Sequence, residues 1–161
     1  MDATMAEVEL RDVEDGDLDA LFEMMRDPES VRMAAFTSKD PNDRTAFDAH
    51  VARLRSSPEL TFLAITRDGE FAGTVGSFEM EGDTEVTYWV GRAFWGQGIA
   101  GQALALLLQI VPTRPIHARA ASDNAGSLRV LEKAGFVITG TDTGYANARG
   151  AEIEETILRL S

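Results

Sequence analysis

Glu85-Val-Thr-Tyr-Trp-Val-Gly-Arg-Ala-Phe-Trp-Gly-Gln-Gly-Ile-Ala-Gly-Gln-Ala-Leu104 is the stretch on which the reading of the fold turns. A β-rich run flows into a glycine turn, and the turn opens an apolar helix. The first N–H groups of a helix have no intrahelical partner and carry a partial positive charge, so such a terminus attracts phosphate. Gly96, Gly98 and Gly101 let the backbone approach a ligand just before Gln102 to Gln109, a run of good helix formers. A tight strand-to-helix connection with no ligand satisfies the turn alone equally well.

The rest of the chain sets the limits around this element. A length of 161 residues predicts a single domain over 1–161 with a proper core, and 44% hydrophobic with 26% charged residues is ordinary for a globular protein. The absence of cysteine excludes a disulfide framework, a thiolate nucleophile and cysteine-ligated metal sites, and fits a cytoplasmic location. A net charge of −12 argues against nucleic acid, whose binding surfaces need Lys and Arg, and favours a cationic or amine-bearing substrate. The most apolar segment, Ile99 to Val111, is too short for a membrane span and is interrupted by Gly101, Gln102 and Gln109, and no signal peptide is expected.

Upstream, Met1 to Met5 show no pattern and are expected to fray. Val8 to Val13 alternates as a strand, and Asp15 or Asp17 is expected to cap a helix carrying Leu18, Leu21, Phe22 and Met25, ended by Pro28. A short helix over Glu29 to Ala35, a polar loop, and a helix from about Arg44 to Arg55 follow. The period then turns to alternation. Leu60 to Arg67, Asp68-Gly69, Glu70 to Met80, a turn at Glu81 to Asp83 and Thr84 to Gly91 predict an antiparallel meander.

Past the glycine turn and its helix, Ile116 to Ala121 reads as a strand parallel to Thr84–Gly91 through a crossover. A helix capped by Asp123 or Asn124 should end at Gly135. Phe136 to Thr143 and Ile153 to Leu160 then pair across a loop from Gly144 to Gly150.

Read literally, Gly96 to Gly101 spells the dinucleotide pattern G-x-G-x-x-G, with Asp123 near where a ribose-binding acid would be sought, so a dinucleotide-dependent oxidoreductase is a rival reading. The order of elements opposes it: that motif belongs to the first strand–turn–helix of a doubly wound sheet, whereas here an antiparallel meander precedes it. A triphosphatase loop is a weaker reading still, because no Lys-Ser or Lys-Thr follows the turn.

Strand Glu85–Gly91, the turn Trp95-Gly-Gln-Gly-Ile-Ala100, a helix, and Ser122-Asp-Asn-Ala-Gly-Ser-Leu-Arg-Val-Leu-Glu-Lys-Ala-Gly-Phe136 together resemble the acetyl-coenzyme A motifs of the GCN5-related N-acetyltransferase (GNAT) family. The likeness is greatest to its ribosomal-protein N-terminal acetyltransferase (RimJ/RimL) branch. It spans nearly the whole chain in element order and is strongest from Glu85 to Phe136. It implies an α/β (α+β) fold, a mixed, mostly antiparallel twisted sheet of about seven strands flanked by helices on both faces. It also implies acetyl-CoA as the acyl donor.

By the same resemblance the pyrophosphate is held by the N–H groups of Gly96, Gln97, Gly98, Ile99, Ala100 and Gly101, which explains the absence of a lysine from the turn. The pantetheine arm pairs with the backbone of Trp89, Val90 and Gly91, and the thioester carbonyl meets an N–H near Trp89 or Val90. Trp95 departs from the Gln or Arg that often opens the family's turn. Arg92, Arg129 and Lys133 are the basic residues near enough in sequence to supply charge. Asn124 is expected both to cap its helix and to bind the pantetheine amides.

For the chemistry, the amine must be neutral to attack and the leaving thiolate benefits from a proton. Glu85 lies where some family members carry a glutamate base, with Glu79 and Glu81 as neighbours acting through water; the alternative for Glu85 is an exposed strand carboxylate. Tyr88 should face away from Glu85 by strand alternation. Leu131 stands where many members carry a tyrosine acid, and the branch implicates a serine at the position of Ser127 instead. His50 and His117 have no metal-ligand spacing, so no metal site is expected. Met33, Phe36, Tyr88 and Tyr145 are candidates to line the acceptor groove. The expected reaction is direct acetyl transfer to a primary amine, of a protein N-terminus or a small molecule, with a homodimer as an assembly open to the chain. An inactive acetyl-CoA-binding module is the alternative that the missing tyrosine motivates.

Overall fold

The computed structural model describes residues 7–161. The expected fraying of Met1 to Met5 lies outside the described residues. The chain runs β1 (Val8–Asp12), a 3-10 turn, α1 (Leu18–Arg26), α2 (Pro28–Ala34), α3 (Arg44–Ser56), β2 (Thr61–Arg67), β3 (Glu70–Met80) and β4 (Asp83–Val90). It continues through α4 (Ile99–Ile110), β5 (Ile116–Ala121), α5 (Ala125–Lys133), β6 (Val137–Ala146) and β7 (Ala151–Leu160). The strands form one seven-stranded sheet in the order β1-β2-β3-β4-β5-β7-β6. Every pairing is antiparallel except that of β4 with β5.

Helix α4 lays its apolar stripe on one face of the sheet. Ile99, Ala103, Leu104 and Leu107 recur at helical spacing, all are buried, and they pack with Ile65, Val75, Val86, Ile116 and Leu158. Burying each of the larger ones stabilises by roughly 1.5–3 kcal/mol relative to exposure. Leu131 and Phe136 bring α5 and its exit onto the same core. Near the opposite face, α1 carries the buried Leu21 and Phe22, and Phe22 meets Phe47 of α3 edge to face with ring centroids 5.2 Å apart.

Several boundaries depart from the sequence reading. Neither Asp15 nor Asp17 makes a side-chain cap on α1. Asp17 is instead the bidentate partner of Arg11, at 2.7 and 2.9 Å, and accepts from the Glu14 N–H at 2.8 Å, fastening β1 to the start of α1. Pro28 ends one helix by opening the next: Asp27 caps α2 by accepting from the Ser30 N–H, and Pro28 occupies a first-turn position that needs no donor. Ala35 lies beyond α2 with φ 65°. The loop expected over Gly144 to Gly150 is shorter, because strand continues to Ala146 and pairing holds from Tyr145↔Glu152 to Ala146↔Ala151, leaving a turn of four residues.

That turn docks on the end of α2. The Ala148 N–H donates to Ala35 O at 3.2 Å and the Asn147 side-chain amide donates to Thr37 O at 2.8 Å. Ala35, Ala121 and Ala146 make a small buried cluster beneath it, against Phe36 and Ile153.

Candidate acetyl-transfer site

The site is built around a divergence in the sheet. β4 and β5 share a single bridge, Glu85↔His117, and beyond it β4 has no further pairing with β5. On its other side β4 pairs with β3 from Met80↔Asp83 to Gly73↔Val90. The Gly91 N–H donates to Ala72 O at 2.9 Å, and a Cβ on Gly73 would collide with the Trp89 carbonyl oxygen. By alternation the peptide groups of Glu85, Thr87 and Trp89 therefore serve β3, whereas that of Val86 points to β5 at the bridge and those of Tyr88 and Val90, past it, point into the opening. The Val90 carbonyl accepts from the Trp95 indole N–H at 2.9 Å. The N–H groups of Tyr88 and Val90 thus face the cleft. The Gly91 N–H, which the resemblance brings to the pantetheine arm, is already engaged on Ala72.

At the same end of the sheet the glycine turn leads into α4. Gly96 and Gly98 have φ of 77° and 74°, left-handed values that favour glycine, and Gly98 is the N-cap of α4. The first intrahelical donor is the Gln102 N–H, to Gly98 O at 3.2 Å, and no side chain caps the terminus. The N–H groups of Ile99, Ala100 and Gly101 are thereby left to a ligand. Nothing lies within 4 Å of a Cβ built on Gly96 or Gly101, so the space in front of the turn is open. Gln97 is exposed, and its side-chain amide points back to Ala93 O at 3.5 Å. The Ile99 side chain is in the core, so only its backbone is available. Arg92 is paired with Asp27 at 3.0 Å, while Arg129 is exposed on α5.

The first turn of α5 closes the other side. Asn124 caps it, its Oδ1 accepting from the Ser127 N–H at 3.2 Å, while its Nδ2 donates to Met33 O at 3.3 Å. One N–H of that amide and one lone pair of the oxygen remain for a ligand, so capping and ligand contact are compatible. Ser127 Oγ lies 2.6 Å from the hydroxyl of Tyr88.

Glu85 and Tyr88 project from opposite faces of β4. Tyr88 packs with Val86 and Val90 into the core beneath α4 and α5. Tyr88 was expected to line the acceptor groove; the structure turns it away from the face that carries Trp89 and Glu85 and joins it to Ser127. On the other face Trp89 donates its indole N–H to Met24 O of α1 at 3.3 Å. Glu85 shares that face and is buried rather than exposed, with 5% of its surface accessible. Burial raises its pKa above the ordinary carboxylate range, against the opposing charges of Arg119 and His117.

Arg119 was not singled out in the sequence. Its Nε lies 3.5 Å from Glu85, and its Nη1 reaches Glu155 at 3.2 Å and Asp142 at 3.7 Å, so one guanidinium is shared by three carboxylates. Strand Ile116–Ala121 was legible, but the register that sets Arg119 beside Glu85 rests on one bridge between residues 32 apart, for which no local signal exists.

Met33 and Phe36 gather at the end of α2, whereas Tyr145, between Gly144 and Ala146 that face Phe36 and Ala35, turns by strand alternation to the opposite face of β6. Met33 is half-buried and held through its carbonyl by Asn124; Phe36 lies under the β6–β7 hairpin; Tyr145 is 60% exposed on β6. Arg149 ties this wall together, donating to Arg32 O at 2.8 Å and to both oxygens of Asp123 at 2.8 and 3.1 Å. Among the described residues no group of His, Asp and Glu is arranged to hold a metal ion, and no helix is long and apolar enough to cross a membrane.

A family model described as an acetyltransferase (GNAT) domain matches residues 7–137. Among solved structures, RimJ of Mycobacterium smegmatis, in complex with CoA-disulfide, superposes with a TM-score of 0.79 at 24% identity, over 95% of this chain and 81% of the other. RimL, a ribosomal L7/L12 alpha-N-protein acetyltransferase in complex with coenzyme A, gives 0.76 at 20% identity over 95% and 93%. A spermidine N-acetyltransferase from Vibrio cholerae, in complex with CoA and spermine, gives 0.77 at 15% identity over 95% and 94%. No match was found among curated protein sequences.

Proposed function

We propose, from the premise that this chain belongs to the GNAT acetyltransferase family and is an acetyl-CoA-dependent N-acetyltransferase, that it moves acetyl to a primary amine by direct attack, with Glu85 as proton acceptor and Ser127 as donor to the sulfur. The observation that carries this reading is the divergence of β4 from β5 after Glu85↔His117, between the open N–H groups of α4 and the first turn of α5. The rival dinucleotide reading of Gly96 to Gly101 falls with the family match and with the antiparallel meander that precedes the turn.

Acetyl-CoA, when bound, supplies an activated acyl group whose leaving atom is sulfur. Backbone donors of α4 fit a pyrophosphate without a lysine, and the Tyr88 and Val90 N–H groups fit an extended pantetheine arm or a polarised thioester oxygen. Glu85, its carboxyl raised by burial, is suited to take a proton near neutral pH, directly or through water. It stands on the face of the sheet with Trp89 and Arg119, and Ser127 on the other, so the proton leaving nitrogen and the proton reaching sulfur have separate routes.

The acceptor is an amine, of a protein N-terminus or a small molecule, and a cationic one fits the net charge of −12. The cytoplasm is the compartment proposed for it. An amine panel read by thiol release tests the assignment: release that depends on the amine supports it, and none across the panel overturns it. Calorimetric titration with acetyl-CoA and NADH is expected to give binding with the first alone.

A further inference from the structure

Ser127 alone is a poor proton donor for a thiolate. An aliphatic hydroxyl is far less acidic than a thiol, and among side-chain hydroxyls a phenol lies nearer to it. The helix supplies no phenol, because Leu131 occupies the relevant turn with its side chain sealed in the core. β4 supplies one. The Tyr88 hydroxyl is 2.6 Å from Ser127 Oγ, a short contact between hydroxyls, and only 3.4 Å from the Ser127 carbonyl, so the side-chain contact dominates. The Ser127 N–H is fixed by Asn124, which holds the first turn of α5 in place.

Resting on the reading of Ser127 given above, we propose that Tyr88 is a positioning and relay residue: its phenol donates to Ser127 Oγ and backs the proton that Ser127 passes to the coenzyme sulfur. When the tetrahedral adduct collapses, the C–S bond breaks and sulfur takes the electron pair. The Ser127 O–H bond breaks as S–H forms, and the Tyr88 O–H bond breaks as the Ser127 O–H is restored. Solvent then returns a proton to the phenolate, balancing the proton that the amine nitrogen gave up on the other face. Burial raises the pKa of Tyr88 and favours its return to the neutral phenol. The relay places the second hydroxyl where sequence spacing along α5 cannot reveal it.

The test compares Tyr88→Phe, Ser127→Ala and the double variant, each with acetyl-CoA and a turned-over amine. Tyr88→Phe keeps the ring in its core contacts. Its kcat is expected to fall about tenfold to a hundredfold, with the KM for acetyl-CoA unchanged. The double variant should be no slower than the slower single, within about twofold, because the two groups act as one unit. Multiplying losses, or full kcat in Tyr88→Phe, overturn the relay. A parallel loss of acetyl-CoA affinity assigns Tyr88 a packing role and overturns it too. A measurement on the unaltered enzyme is independent of variant folding: the single-turnover rate in H₂O–D₂O mixtures should bow, as two moving protons require, and a linear dependence overturns the proposal. Absence of amine-dependent thiol release in the unaltered enzyme would overturn the parent reading as well, whereas normal release with unaffected Tyr88→Phe overturns the relay alone.

Discussion

Glu85 and Tyr88 stand three residues apart on one strand and serve opposite faces of the sheet: the carboxylate lies 3.5 Å from Arg119, and the phenol lies 2.6 Å from Ser127. Strand alternation makes this separation obligatory. An odd spacing on a strand beside a cleft sets two titratable groups on separate faces without mutual contact.

Glu85→Gln separates catalysis from stability. Amine turnover is expected to fall by about a hundredfold or more, with acetyl-CoA affinity retained by calorimetry. Because burial raises the native pKa of Glu85 above its unfolded value, the native state holds its proton more tightly, so stability contributed by this group falls as pH rises from the unfolded value through the native one. The glutamine variant should therefore melt higher than the parent at neutral pH, and the difference should vanish in acid. Arg119 keeps Glu155 and Asp142 as partners, so no guanidinium is orphaned. Undiminished turnover at neutral pH would reject Glu85 as the base.

Much of this was legible in the chain because it is local. The glycine turn, the meander, the parallel crossover and the Asn124 cap each announce themselves by period, turn chemistry or capping residue within a few positions. What the sequence hid is long-range register. Arg119 beside Glu85, and Met33 O on Asn124, depend on how distant elements meet. Asp17 shows a different limit. It has the chemistry of a helix cap, but the arginine six residues before it in β1 competes successfully for the carboxylate. Tyr88 follows the expected alternation, and its contact with Ser127 of α5 is another meeting of distant elements.

Gly98→Val tests the phosphate grip. A left-handed φ of 74° costs an L-residue about 1–2 kcal/mol, somewhat more for a β-branched one. The nearest atom to its Cβ is Gln102 Nε2 at 3.8 Å, so the fold has room for the side chain. The added atoms project near the open N–H groups of α4, where a pyrophosphate would sit. Circular dichroism should show a folded protein and calorimetry a loss of coenzyme A binding; retained binding would move the phosphate site elsewhere.

Asp17→Asn addresses the anchor between β1 and α1. The Arg11 guanidinium and, secondarily, the Glu14 N–H hold the Asp17 carboxyl below its ordinary range. Its stabilisation is present above the unfolded carboxylate pKa and is lost as pH falls through the lower native value. Asn cannot accept the charged fork in full, and a loss of about 2 kcal/mol is expected at neutral pH. Denaturant melts from neutral pH downward should show the two proteins converging in acid; a constant gap would assign the cost to packing.

Arg149→Ala should separate acceptor binding from cofactor binding. The guanidinium joins three segments, the hairpin turn between β6 and β7, the end of α2 through Arg32 O, and Asp123 before α5. Its side chain is only 17% exposed, so its fork is largely withdrawn from competing water. Removal leaves the Arg32 carbonyl and a carboxylate without their donor, at a cost of about 1–3 kcal/mol. The hairpin and the end of α2 carry Phe36 and Tyr145, while the cofactor elements α4 and β4 are untouched. The KM for the amine should rise with acetyl-CoA affinity held, and Arg149→Lys, which keeps the charge but lacks the planar fork, should fall between. Equal loss of both affinities would show that the hairpin serves the whole domain and not the acceptor wall.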